Sequence, residues 1–123
     1  MKRWSASWKS SKKPNKQRKY VYGAPLHIKS QFLGSHLAPE LRKKHGTRSM
    51  RIRKGDTVKI MSGSFRGKTG KVERISVKYA KVFITGIETV KKDGSKTLYP
   101  IVPSKLMIQE LNMSDKKRIK RTK

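Results

Sequence analysis

Cysteine is absent from this chain of 123 residues, which excludes disulfides and thiolate metal sites. Acidic residues are nearly as scarce: seven Asp and Glu stand against 33 Lys and Arg, a formal net charge of +26. No apolar run approaches the roughly 18 residues that a membrane span needs. The basic stretches also lack the Leu/Phe/Trp face that an interfacial helix buries, so no membrane insertion is expected. At the N-terminus, basic residues lead into Ser and Lys and not into the apolar segment of a signal peptide. Ser5, Ser7, Ser10 and Ser11 give this start a superficial likeness to an organelle transit peptide, but Lys outnumbers Arg there and no amphipathic period is present. The histidines His27, His36 and His45 have no cysteine partners and no H-E-x-x-H grouping, so no metal is expected. The few acids are scattered, and none forms an evident general acid–base couple. No enzyme, cofactor or small-molecule substrate is therefore expected.

What the chain does have is positive charge, unevenly placed. Residues 1–54 hold sixteen Lys and Arg and one acid, Glu40; residues 55–112 hold eleven and five; residues 113–123 hold six and Asp115. A free domain with that imbalance repels itself, and a polyanionic partner is the natural resolution. With membranes set aside, nucleic acid leads. The β-branched residues concentrate in the middle zone, so a core belongs there and the ends read as basic arms. The implied organisation is a basic arm over residues 1–22, an extension with a short helix over 23–50, a β domain over 51–112 and a basic tail over 113–123.

Apolar residues in the middle zone alternate with a period of two, which predicts strands at 57–61, 71–77, 81–86, 96–102 and 106–111. Asp93-Gly94 between two of these is a hairpin signal. Pro100 demotes its strand to an edge or a bulge. Five short antiparallel strands suit a small, strongly bent barrel, mainly β. Its expected core is Val58, Ile60, Val72, Ile75, Val82, Ile84, Leu98, Val102, Leu106 and Ile108. Upstream, Pro39-Glu40-Leu41-Arg42-Lys43-Lys44-His45-Gly46 reads as a short helix, with proline first, an acid in the first turn, cations in the last and glycine after it. Leu37 and Leu41 are placed to pin it to the barrel. Residues 26–33 form a looser second helical segment.

The densest pattern is RIRKGDTVKIMSGSFRGKTGKV, residues 51–72. Its glycines Gly55, Gly63, Gly67 and Gly70 mark turns or close approaches, and Asp56 reads as a turn residue that accepts backbone N–H groups. The loop is no P-loop: only three residues separate Gly63 from Gly67, and no helix follows. A plain glycine-rich turn is the simpler reading of the loop alone. The charge around it favours RNA contact by Ser62, Ser64, Arg66, Lys68 and Lys71. In Met50-Arg51-Ile52-Arg53 the alternation turns Met50 and Ile52 to the core and offers Arg51 and Arg53, with Arg48 and Lys54, to phosphate. In the arm, Trp4, Trp8, Tyr20 and Tyr22 lie among Lys12, Lys13, Arg18 and Lys19. Aromatics among cations either stack on unpaired bases or anchor the arm on protein; Tyr20 and Tyr22 are the better stacking candidates. Lys29, Arg42, Lys43, Lys44, Ser104, Lys105, Lys117 and Arg118 complete the expected RNA-binding set, the last two in the tail DKKRIKRTK.

Residues 55–75 follow the pattern x-G-D-x-V-x-I-x-x-G-x-x-x-G-x-x-G-x-V-x-x-I, which resembles a KOW motif, found in large-subunit ribosomal proteins and in NusG-type elongation factors. Arg18-Lys19-Tyr20, Ala24-Pro25-Leu26-His27, Glu40-Leu41-Arg42-Lys43-Lys44-His45 and Arg48-Ser49-Met50 resemble the leader of the large-subunit ribosomal protein twenty-four family in its archaeal and eukaryotic form, numbered twenty-six in eukaryotes. Pro103-Ser104-Lys105-Leu106-Met107-Ile108 resembles that family's closing strand. The resemblance spans about residues 18–121. It departs at Ala38-Pro39, where the family usually starts its helix with a Ser-Lys-like pair, so a capping bond is lost. The resemblance implies a five-stranded SH3-like barrel on large-subunit rRNA and early assembly on the 5′ region of that rRNA. It also implies a site beside the polypeptide exit tunnel, neighbouring ribosomal proteins as partners, and the cytoplasm. The alternatives are a KOW-type transcription elongation factor or another basic nucleic-acid-binding protein, such as one that binds duplex DNA.

Overall fold

A computed structural model describes residues 4–8 and 10–120. The ends of the expected basic arms, residues 1–3 and 121–123, lie outside the described residues, as does Lys9. The chain runs α1 (Pro14–Gly23), α2 (Leu26–Gln31), β1 (Gly34–Leu37), α3 (Pro39–His45), β2 (Ser49–Arg51), β3 (Thr57–Ile60), β4 (Thr69–Ser76), β5 (Lys81–Ile84), β6 (Glu88–Val90), β7 (Lys96–Leu98), a 3-10 turn (Pro103–Lys105), β8 (Leu106–Glu110) and α4 (Lys117–Lys120). A six-stranded sheet has the order β2-β1-β8-β3-β4-β5, and β6 and β7 form a separate hairpin. The result is a small β-rich domain carrying more helix than the one or two short helices expected.

Three strands escaped the sequence reading: β1, β2 and β6, the last pairing with β7 across the Asp93-Gly94 turn in place of the expected strand at 81–86. β1 and β2 lie in the segment expected to hold only helix, and β1 pairs in parallel with β8, His36 opposite Met107 and Leu37 opposite Ile108. Four residues carry too little period to announce a strand, and their partner lies about seventy positions away (107 minus 36 is 71). The pairing is completed by Ser35, buried, whose hydroxyl donates to the Pro103 carbonyl at 2.8 Å.

Within the sheet the expected inward set is largely buried: Val58, Ile60, Val72, Val82, Ile84, Leu106 and Ile108. Met50 and Ile52 join it, as their alternation with Arg51 and Arg53 predicts, and so do Leu33, Leu37, Ile87 and Ile101. Leu41 packs against this cluster from α3. Leu98, Ile75 and Val102 are only partly covered. Pro100 explains the last: β7 stops at Leu98, the pairing resumes as a bridge between Ile101 and Val82, and the inward position moves from 102 to 101. β4 bends at Glu73, an extra residue between the pairs Val72–Ile84 and Arg74–Phe83.

The helices follow local chemistry. Pro14 opens α1, and Pro25 forces Ala24 into extended backbone (ψ 137°), which ends it. α3 begins at Pro39 without a side-chain cap, as Ala38 implies, and Gly46 closes it at φ 64° with its N–H on the Arg42 carbonyl. α1 lies largely in the stretch read as a basic arm, where no helix was expected. Its helix is held by tertiary contacts: Tyr20 lies 5.0 Å from Trp4, 4.7 Å from Trp8 and 6.3 Å from Phe32 between ring centroids. The Trp4 indole N–H also donates to the Tyr20 carbonyl at 3.1 Å.

Candidate nucleic-acid interface

Strand register determines which cations share a face. Across β2-β1-β8-β3-β4, one row reads Ser49, His36, Met107, Lys59 and Thr69, each outward and opposite its neighbour. The next row begins with Arg51 opposite Gly34. It continues through Lys105, whose carbonyl receives the Met61 N–H at 2.8 Å. Leu37, Met50, Val58, Ile60, Leu106 and Ile108 fill the opposite face. Arg51 and Lys105, 54 positions apart in sequence (105 minus 51), thus lie along one polar surface. Lys59 and His36 belong to it as well. They were missed because outward positions in a strand have no pattern of their own.

The glycine loop borders this surface. Ser62, Ser64, Arg66 and Lys68 are exposed. Hydrogen bonds from Gly67 N–H to the Ile60 carbonyl (2.9 Å) and from Arg66 N–H to the Gly63 carbonyl (3.1 Å) shape the loop. Gly67 has φ 86°, so the loop's path needs glycine there. Gly70 is needed for a different reason: a Cβ there would lie 2.6 Å from the Ile84 side chain and 2.8 Å from the Thr85 carbonyl oxygen. The Lys68 ammonium lies over the Phe65 ring at 5.4 Å, and Phe65 meets Tyr99 at 5.1 Å. Between the loop and the 3-10 turn is a concavity of about 150 Å³, lined by Ser62, Gly63, Ser64, Lys81, Tyr99 and Lys105 among others. It gathers Lys105 and the unforeseen Lys81 beside the loop hydroxyls. Ser104 is exposed on the 3-10 turn, and Lys71 on β4 opposite Thr57.

Other expected contacts are dispersed. Arg18 and Lys19 are exposed on α1, Lys43 and Lys44 on α3, Arg48 and Lys54 beside β2, and Lys117 on α4. The Lys29 ammonium donates to the Tyr22 carbonyl at 2.9 Å, and the Arg42 guanidinium to the Leu37 carbonyl at 2.7 Å, so both carry a structural bond. Arg53 is half-exposed and pairs with Asp115 at 2.8 Å. Tyr22 is open to solvent, whereas Tyr20, half-buried among Trp4, Trp8 and Phe32, anchors α1.

Arg118 departs furthest from expectation. It is 3% exposed, and its guanidinium forks onto Asp56 at 2.6 and 2.7 Å. It also donates to the carbonyls of Asn112 (2.9 Å) and Arg51 (3.1 Å). Asp56, fully buried, accepts the backbone N–H groups of Arg53 and Asn112, both at 2.8 Å. Asp56 is thus the turn residue expected and also the counter-ion that holds the tail. A phosphate contact from Arg118 is set aside, because that side chain is already committed. Composition hid it: one arginine in a basic tail looks like its neighbours.

A β-rich core with cations outward and basic segments at each end defines the class, a small ribonucleoprotein constituent. The particular family follows from comparison with known proteins. Residues 11–123 match the family described as the eukaryotic ribosomal proteins twenty-six and the archaeal proteins twenty-four of the large subunit, and the chain belongs to it. The match begins upstream of the resemblance noted at residue 18 and takes in all of α1. The protein is accordingly a structural constituent of the large ribosomal subunit, acting in translation on the cytoplasmic ribosome. Among the described residues no helix is long and apolar enough to cross a membrane.

Proposed function

We propose that this protein is a non-enzymatic binder of large-subunit rRNA that joins the particle early, on the 5′ region, near the polypeptide exit tunnel. The observation that carries the RNA contact is the register-aligned surface of Arg51, Lys59 and Lys105 beside Ser62, Ser64, Arg66 and Lys68. Guanidinium, ammonium and hydroxyl groups there suit phosphate oxygens. The assembly order and the tunnel-side position rest on the family resemblance. Lys71, Ser104, Arg48, Lys54, Lys43, Lys44 and Lys117 extend the contact around the domain.

The finer fold reading is an SH3-like barrel over residues 51–112, with residues 1–22 as a basic arm, 23–50 as an extension and 113–123 as a tail. It is supported by the chain's path from the Ile101–Val82 bridge through the 3-10 turn to β8, which pairs with β3. That path brings the far edge of β5 back toward the start of the sheet. Partners are the rRNA and neighbouring ribosomal proteins.

Two measurements test the RNA reading. Nuclease footprinting on assembling large-subunit rRNA should show protection in the 5′ region before later proteins are added; protection confined to late particles contradicts early entry. Affinity for structured RNA should also exceed that for duplex DNA at matched salt, and the reverse preference contradicts rRNA as the target.

A further inference from the structure

We propose that a groove between the N-terminal helices and the β4–β5 turn is a stacking site for an unpaired nucleotide of RNA, separate from the sheet face. The groove has a volume of about 490 Å³, within the usual range of small-molecule sites (~300–1,000 Å³). Val21, Phe32 and Ala80 line it, with the rings of Tyr22 and Tyr79. Tyr22 and Tyr79 are 87% and 67% exposed, although thirteen apolar residues among those described are buried together in the core. Each already has an ammonium beside it: Lys29 lies 5.9 Å from the Tyr22 centroid and Lys78 5.3 Å from that of Tyr79. Arg18 is a third cation in the lining, which holds no acid among the described residues.

The combination selects its occupant. Exposed rings offer faces for a base, while the cations neutralise the phosphates on either side, the arrangement by which proteins hold single strands. Lys29 and Arg18 bond only neutral oxygens, of the Tyr22 carbonyl and the Asn15 side chain, so an apolar peptide would leave the positive charge of the groove without a counter-charge, whereas a base with its phosphates satisfies both parts of the site. The turn that carries Tyr79 also has a left-handed backbone at Ala80 (φ 48°), a conformation usually left to glycine. Here the residue adds a methyl group to the groove lining.

The proposal rests on the RNA-binding reading but uses different residues, so the two can fail separately. The full-length protein and its Tyr22→Ala, Tyr79→Ala and Tyr79→Phe variants are titrated with a short single-stranded oligoadenylate and with a blunt RNA duplex of equal length. Both rings are exposed, and circular dichroism should show unchanged folding. Either alanine variant should weaken oligoadenylate binding by roughly 5- to 150-fold, the range for one stacked base, and Tyr79→Phe should not. Duplex affinity should stay constant, because the sheet face is untouched. Lys78→Met should reduce the salt slope on the single strand by about 0.7, whereas Tyr79→Ala should leave that slope alone. Unchanged oligoadenylate affinity in both alanine variants, with RNA binding otherwise intact, overturns the groove and spares the sheet face. Equal losses on duplex and single strand overturn it too, by making the tyrosines general backbone contacts. If polyglutamate binding depends on Tyr79 while oligoadenylate binding does not, the groove is a protein-docking site and the proposal fails.

Discussion

Replacing Arg118 with methionine is the most discriminating perturbation of the fold. The side chain is 3% exposed and meets Asp56, which is 0% exposed, in a two-pronged ion pair. Removing one member of a buried pair leaves an uncompensated charge, a loss of about 3–5 kcal/mol. Asp56 would retain the N–H groups of Arg53 and Asn112, which places Arg118→Met toward the lower end, near 3 kcal/mol. Asp56→Ala should cost more, because it orphans both N–H groups together with the guanidinium. Domains are stable by only about 5–15 kcal/mol, so Asp56→Ala is expected to lie close to unfolding. Arg118→Met is therefore the quantitative probe. Urea unfolding of wild type, Asp56→Asn, Arg118→Met and the double variant closes a cycle, with an expected coupling of about 2–3 kcal/mol. Amide exchange should quicken in α4 and at Asn112, because the tail loses its buried tether and keeps the part-exposed Arg53–Asp115 pair. A destabilisation under about 0.5 kcal/mol is what an exposed pair gives, and it would refute the reasoning.

Further expectations can be measured on the same protein. Gly70→Ala should destabilise by about 1–3 kcal/mol in urea, because its Cβ meets Ile84 and the Thr85 carbonyl in the folded sheet; wild-type stability would show that the β4–β5 approach relaxes freely. Gly67→Val places a β-branched residue at φ 86° and should lower stability by about 1–2 kcal/mol or more and weaken rRNA binding; unchanged values for both would remove the loop from the interface. Tyr20→Ala should release the tryptophans and shift their fluorescence to the red, with loss of α1 helicity; an unchanged spectrum contradicts the aromatic anchor. At the β6–β7 turn, hydrogen bonds from the Ser95 hydroxyl and backbone N–H hold the Asp93 carboxyl below its ordinary value of 3.8. Its contribution is present above that value and is lost as pH falls through the lower, folded one. NMR titration of the Ser95 amide should therefore show a midpoint below 3.8, and a midpoint above it would refute the turn geometry.

Comparing sequence with structure shows which physics is local. Alternation in β3 and β8 revealed Val58, Ile60, Leu106 and Ile108, because a strand with one wet face writes its burial into every second residue. Pro39 and Gly46 bracketed α3 for the same kind of reason. The β1–β8 pairing and the Tyr20 cluster are long-range, and each rests on a few residues whose partners cannot be read nearby. In the candidate interface, charge indicated the partner class and the glycines located the loop. Yet charge is blind to burial: Arg118 and Lys117 read alike, though one is locked onto Asp56 and the other is exposed. Register, not composition, joined Lys59 to Arg51 and Lys105.

The central claim is that the outward sheet face neutralises rRNA phosphates, and salt dependence tests it most directly. Log affinity for large-subunit rRNA is measured against log salt for the wild type and for a triple Arg51→Gln, Lys59→Gln, Lys105→Gln variant. All three side chains point away from the core, so the fold should survive, as an unchanged unfolding curve would confirm. Each lost phosphate contact lowers the slope by about 0.9 on duplex and 0.7 on single-stranded regions, so the variant's slope should be shallower by about 2–3. An equal slope in a folded variant would place the rRNA elsewhere on the protein.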